Sequence, residues 1–471
     1  MHRILTTAVI LLLGCSTPMT MDGGTGGGAT GGGTTGGGAT GGGAATGGGA
    51  TGGGAAMGGG AATGGGGAFD PCPALPAPPG NAVTVSTVAG LRMALTNAAP
   101  GATILVADGT YDFSGGNYVY IDKAGVTLRG QSGDATRVIF DGNYQQGNGA
   151  SLVNIAADNV TFADITVQRA YDHPIHVIPA FTNPASVSGT RIYRVRVIDP
   201  GQQAIKINGD EPGFMYTMND GEISCSEIRL TANGRGQIRD NCYTGGIDAH
   251  AARNWTIRDN RIEGFWCPMG LSEHGIHCWK GCRDITVERN VLIDNARGIG
   301  FGLGDAVDGR VFGDNPCPGV MNYGAVGGVI RNNFVVTNSA ALQSSQFGFD
   351  TGISLEKACG NVQVVHNTVF STMQPGSSSI EWRFAGTTLT LTNNLSTHRQ
   401  QQRDNAMATS AGNVANATPA MFVSPSTADL HLASGATSAI DQGTSVNAGV
   451  CDQDIDGSPR TGSRDVGADE R

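Results

Sequence analysis

Lys206, Asp248, His250, His277 and Trp279, preceded by His176, concentrate titratable and aromatic side chains in a 471-residue chain that holds nine histidines and four tryptophans. Each sits one or three residues beyond an isoleucine, in Ile175-His176, Ile205-Lys206, Ile247-Asp248-Ala249-His250 and Ile276-His277-Cys278-Trp279. These types suit removal of a proton from carbon. Lys206 is the first candidate base. A neighbouring Asp248 would raise its pKa, so activation requires burial or the histidines to oppose that effect. His277 and His250, with an unperturbed pKa near 6.5, are the alternative bases. Arg297 could neutralise or orient a carboxylate through its two-pronged guanidinium, or equally brace a turn. Trp279 could stack on a sugar ring, or pack beneath a loop. His176, Asn208, Asp248, Trp279, Glu356 and Arg383 complete the candidate binding set.

For these residues to meet, the chain must return them to one face, and an imperfect repeat does so. One column reads Val160-Thr-Phe-Ala-Asp-Ile165, Trp255-Thr-Ile-Arg-Asp-Asn260, Ile285-Thr-Val-Glu-Arg-Asn290, Val329-Ile-Arg-Asn-Asn333, Val362-Gln-Val-Val-His-Asn367 and Leu389-Thr-Leu-Thr-Asn-Asn394. Its alternation is the strand period, and Asn260, Asn290, Asn333, Asn367 and Asn394 are expected to stack as a ladder and to tolerate the left-handed backbone of a tight bend. A second column is centred on Ile175, Ile205, Ile247, Ile276, Ile299, Ile353 and Ile380. Long excursions after Asn208 and Gly302 absorb the irregular spacing.

With each isoleucine inward, strict alternation turns two columns outward. The first holds His176, Lys206, Asp248, His277, Gly300, Ser354 and Glu381. The second holds Ile178, Asn208, His250, Trp279, Gly302, Glu356 and Arg383. Parallel rungs are about 4.8 Å apart, so Lys206, Asp248 and His277 are expected on one solvent-facing surface walled by loops. His173-Pro-Ile-His176 and Glu273-His-Gly-Ile-His277 invite a metal reading, but positions three apart on a strand face opposite ways unless a bend intervenes. The glycines of Gly298-Ile-Gly-Phe-Gly-Leu-Gly304 are expected to leave space above their rung.

The ends of the chain are of another kind. His2 and Arg3, the apolar residues 4–13 and Leu12-Leu13-Gly14-Cys15 resemble a bacterial lipoprotein signal, with Cys15 as the acylated residue; the apolar run is too short to span a bilayer. An outer-membrane destination follows from Ser16, which is not an acidic retention signal. Residues 23–67 are almost wholly Gly, Ala and Thr, which cannot bury enough apolar surface to offset ordering entropy and so read as a flexible tether. The Pro-rich residues 71–79 mark a domain edge. A net charge of -10 argues against nucleic acid. Setting Cys15 aside leaves nine of ten cysteines for an oxidising compartment. Cys278 is expected to be free and inward; Cys225 with Cys242, Cys267 with Cys282 and Cys317 with Cys359 are candidate staples.

The repeat resembles that of pectate-lyase-like proteins, the segment from Thr87 to Tyr111 resembles the capping helix and first strand of the chondroitinase B and alginate lyase group, and the tail motifs Asp454-Ile-Asp-Gly-Ser-Pro-Arg460 and Asp465-Val-Gly-Ala-Asp-Glu470 resemble the closing segment of many secreted β-helix proteins. The resemblance implies an all-β fold: a right-handed parallel β-helix solenoid with a short N-terminal capping helix and an irregular C-terminal cap. The expected organisation is a lipoprotein signal over 1–15, a disordered tether over 16–68, the β-helix over 69–400 and a closing segment over 401–471. It implies a monomeric, exported protein, lipid-anchored to the outer membrane or cell surface, with polysaccharide as its partner and the anchor as its only membrane contact. The favoured activity is β-elimination on a uronate-containing glycan. A non-catalytic glycan-binding or adhesive role is the alternative, and a hydrolase pairing Asp248 with Glu273 or Glu356 the third reading. Calcium is a candidate cofactor through Asp210, Glu211 and Asp248. Replacing Cys15 with alanine should release the protein from membranes into the soluble fraction, read by fractionation and by mass spectrometry of the N-terminus. A soluble, unacylated wild type would refute the anchor.

Overall fold

The computed structural model describes residues 71–146, 151–209, 215–305 and 312–471. Cys15, the signal and tether of residues 1–68, and Asp210 and Glu211 lie outside them. The described chain forms a right-handed parallel β-helix in which each coil contributes short strands to successive faces. One coil runs from Thr286–Glu288 on a twelve-stranded first face to Val291–Ile293 on a ten-stranded second face. It continues through Arg297–Phe301 on a ten-stranded third face and Ala325–Val326 in a short six-stranded sheet, then reaches Val329–Arg331 one rung further along the first face. Parallel strands of three to six residues carry too little apolar surface to stand alone. Their stability comes from stacked columns in the interior, such as Ile247, Ile276, Ile299 and Ile353, all with zero exposure.

A two-residue bend joins the first face to the second. The ladder asparagines occupy its second position. Asn260 Nδ2 donates to Asn290 Oδ1 at 3.0 Å, Asn290 to Asn333 at 3.0 Å, Asn333 to Asn367 at 2.9 Å and Asn367 to Asn394 at 3.0 Å. Each amide also donates to a carbonyl of the preceding coil, as Asn290 does to Ile257 at 2.9 Å. Asn413 extends the ladder by one member. The left-handed backbone falls one residue earlier than expected, on Asp259, Arg289, Asn332, His366 and Asn393. The ladder therefore selects asparagine for its paired donors and acceptor, not for its backbone.

The helix Val88–Thr96 caps the first coil with Leu91 and Leu95, and the Thr87 hydroxyl accepts from Gly90 N at 3.0 Å. The tail packs Leu430, Ala439 and Val466 against Phe334, Val336 and Phe370, apolar side chains of the second face. Arg460, buried in that interface, donates to Asn332 Oδ1 at 2.9 Å and to the Ala468 carbonyl at 2.9 Å. His431 is bonded on both ring nitrogens, to Asp429 and Asp456.

Two expected disulfides are corrected. Cys225 pairs with Cys72, because residues 71–79 lie along the first face, where Arg194 holds the Cys72 carbonyl and Tyr193 that of Pro73. Cys267 pairs with Cys242, because Cys282 points into the core and donates to the Ala249 carbonyl. Cys317–Cys359 forms as expected. Cys278 is free and inward, joined by free Cys282 and Cys451. Replacing Asn290 with alanine takes the acceptor from the Asn260 backbone N–H and one of two from its side-chain amide, and should cost about 1–3 kcal/mol, read as a lower denaturant midpoint at unchanged slope.

Candidate active site on the third face

The third face carries the predicted register. His176 pairs with Lys206, Lys206 with Asp248, Asp248 with His277, His277 with Gly300, Gly300 with Ser354 and Ser354 with Glu381. Asn208, His250 and Trp279 likewise stand on adjacent rungs.

Strict alternation fails just before each isoleucine. A Cβ on Gly246, Gly275, Gly298 or Gly352 would meet Ile262, Leu292, Val335 or Val369, all core side chains of the second face, so two consecutive residues point inward at this corner. The residue before the glycine then points outward, adding His274 and Arg297 to the face. This bend puts His274 and His277, three apart, on the same side, against the expectation for Glu273-His-Gly-Ile-His277. Their ring centroids are 4.5 Å apart. The small residues Ala204, Gly246, Gly275, Gly298, Gly352 and Ser379 were the sequence signal for the corner.

Lys206 Nζ donates to Asp248 Oδ2 at 2.5 Å and to His250 Nε2 at 2.9 Å, with Tyr243 Oη at 3.4 Å. His250 Nε2 is 3.2 Å from the same Asp248 oxygen. Trp279 Nε1 donates to Asp248 Oδ1 at 2.8 Å, and its ring stacks on His277 at 5.2 Å. This set is not the open surface expected from alternation. Lys206 is 5% exposed, Asp248 1%, His250 4% and His277 0%, while Tyr243 and Trp279 are partly exposed above them. Charges that pair across rungs can tolerate such burial; unpaired ones could not. Burial opposes the Lys206 charge, but Asp248 outweighs it and holds the ammonium above its ordinary range. Asp248 stays well below the usual carboxylate range: burial opposes this, and Lys206 prevails.

Beside this set, His277 Nδ1 lies 3.2 Å from Glu273 Oε2 and 3.7 Å from Asp248 Oδ1, and its Nε2 donates to the Gly302 carbonyl at 3.1 Å. His274 Nε2 bonds Ser354 Oγ at 3.0 Å. Its ring occupies the space above Gly300, where a Cβ would come within 2.6 Å of it, so a side chain rather than a ligand fills the gap. The other candidates stand apart. Arg297 pairs with Asp350 at 3.1 Å. Glu356 and Arg383 are 3.8 Å from each other, three and four rungs beyond His250, the nearer about 14 Å away. His176 bonds Ser151 at 3.0 Å and abuts His173, and burial holds both rings neutral, His173 down at about 3. Asn208 keeps a buried side-chain oxygen without a hydrogen bond. Glu273 as a ligand-like group, His274, Tyr243 and Ser354 were missed as a set.

Among the described residues, two groups of three converge: Glu273, His274 and His277 here, and His431, Asp456 and Asp469 in the tail. Calcium takes six to eight oxygens and does not fit a donor set with two imidazoles. Asp248, its expected ligand, is already engaged by Lys206, His250 and Trp279.

No protein-family model and no curated protein matches the sequence. Among solved structures the chain is similar to pectate lyase Pel9A, at 15% identity and a TM-score of 0.45, over 80% of this chain and 90% of that one. It is similar to an alginate lyase from Paenibacillus sp. str. FPU-7 at 15% identity and a TM-score of 0.46, over 71% and 98%. The tailspike protein of E. coli bacteriophage HK620, in complex with pentasaccharide, follows at 12% identity and 0.43, over 71% and 55%.

Replacing Asp248 with alanine leaves the Lys206 ammonium buried without its counter-ion. The variant should lose about 3–5 kcal/mol, and Lys206→Met combined with Asp248→Leu should recover most of it. Equal midpoints for Asp248→Ala and wild type would mean that water reaches Lys206 freely.

Proposed function

We propose that the third face is a glycan site and that the protein is a polysaccharide lyase acting on a uronate-containing chain, carried at the cell surface by acylated Cys15. The observation that supports this reading is the interlocked set of Lys206, Asp248 and His250 beneath partly exposed Tyr243 and Trp279. It combines a fixed cation, an imidazole and an aromatic cover.

In β-elimination a base removes the proton alpha to the uronate carboxylate, and electron density moves onto that carboxylate. The glycosidic bond beta to it then breaks, leaving a carbon–carbon double bond and a departing oxygen that gains a proton. Lys206, kept charged by Asp248, suits stabilisation of the developing enolate better than the role of base. His250 takes that role. Its Nε2 accepts from Lys206 in the resting state, and a proton gained there would face Asp248 at 3.2 Å. Trp279 stacks against the sugar as Tyr243 moves aside. His277 and Arg297, bonded to Gly302 and Asp350, act as positioning residues.

A binding-only role is the second reading, favoured by the near-complete burial of Lys206, Asp248 and His250 and their mutual hydrogen bonds. A panel of uronate glycans, followed by the ultraviolet absorbance of unsaturated chain ends and by direct binding, separates the two. Lyase activity requires new absorbance with wild type, about a 10²- to 10⁴-fold loss in kcat/KM for His250→Ala, and a raised KM for Trp279→Ala. Binding without cleavage on every glycan would establish the adhesive role, and cleavage without new absorbance a hydrolase.

A further inference from the structure

On the same face, Glu273, His274 and His277 each bring a ligand atom within 4.8 Å of the others, and Glu273 Oε2 is 3.2 Å from His277 Nδ1 and 4.0 Å from His274 Nδ1. None of the three atoms has a hydrogen bond of good geometry, and all three are buried. His274 and His277 are 3% and 0% exposed. Unpaired polar atoms in such surroundings are costly, and three converging on one point call for a common partner.

The opposite edge of each ring is anchored. His277 Nε2 is 3.1 Å from the Gly302 carbonyl, which can only accept, so that nitrogen carries a proton and Nδ1 is the atom turned to the cluster, where a metal ion would take its lone pair and displace any proton on it. His274 Nε2 is tied to Ser354 Oγ. Metal-binding histidines are held in this way, with the second nitrogen bonded to a carbonyl or polar side chain that fixes ring and tautomer. Gly300 is part of the arrangement, since any side chain there would collide with the His274 ring.

We propose that Glu273, His274 and His277 bind a divalent first-row transition metal ion of the zinc class. Two imidazole nitrogens and one carboxylate oxygen form a ligand set that leaves a position for water or a substrate oxygen. Bond lengths near 2.0–2.1 Å place tetrahedral ligands about 3.3 Å apart. The Glu273–His277 pair is at 3.2 Å and the Glu273–His274 pair at 4.0 Å, so the latter pair needs to close by less than about 1 Å. Glu273 is the partly exposed member, and access is from its side. The tail cluster lacks this character. His431 is bonded to aspartates through both nitrogens, leaving no lone pair to give.

The site is tested without glycan, so its outcome is independent of the lyase reading. Full-length protein stripped with chelator is titrated with Zn(II) by calorimetry and with Co(II) by visible absorption. One equivalent should bind, with the intense absorption of four-coordinate Co(II). His274→Ala and Glu273→Gln should abolish that spectrum, and His431→Ala should retain it. Ser354→Ala, which keeps all three ligands but frees one ring, should weaken affinity about 10-fold and serves if a ligand variant fails to fold. No saturable binding to wild type would show an imidazole–carboxylate cluster only. Binding unchanged in His274→Ala, Glu273→Gln and Ser354→Ala would place the metal elsewhere. Either result overturns the proposal.

Discussion

Everything in this molecule follows from in-register parallel stacking, in which a side chain meets the same position of the coil above and below at about 4.8 Å. That constraint turns sequence-distant isoleucines into a continuous core and six asparagines into a ladder. It also brings Lys206 within 2.5 Å of Asp248, 42 residues away. A β-helix cannot place one functional residue alone. Whatever one rung presents becomes the environment of the next, so a charge on one coil must be answered on its neighbours.

The third face shows what this answer costs. Lys206, Asp248, His250 and His277 are almost wholly withdrawn from water. Ion pairs at that depth contribute little net stability, because desolvation consumes most of the Coulomb gain. Apolar residues on the same rungs would serve the fold at least as well, as the inward isoleucine column does. Stability alone therefore does not account for a buried polar network on these rungs.

The fold and the register were legible because both depend on period. Isoleucine at one column and asparagine at another repeat often enough to define which residues share a rung. The identity of Lys206, Asp248, His250 and Trp279 as neighbours follows from that register alone. Depth did not follow, since cover comes from loop residues such as Tyr243 that have no periodic signature. His274 was hidden for a different reason. Alternation assumes a straight strand, whereas the corner before Ile276 turns two consecutive residues inward and resets the parity. The disulfides were only partly legible, because Cys72 reaches its partner Cys225 through a strap that runs along the coils, outside the repeat.

The reset of parity also changes the charge balance of the face. With strict alternation Lys206 would answer Asp248 and the pair would be neutral. The bend draws in Glu273, whose carboxylate approaches His277 at 3.2 Å while Asp248 lies 3.7 Å from the same nitrogen. Two carboxylates then face one ammonium; burial opposes a charge on His277, but Glu273 and Asp248 outweigh it and favour the protonated ring, which answers the second carboxylate. That charge is a proton on His277 or, in the proposed site, the metal ion that displaces it. The Arg297 guanidinium, directed to Asp350, adds a weaker attraction for the Glu273 carboxylate. The geometry that places His274 and His277 together thereby sets two imidazoles beside one carboxylate at the same point.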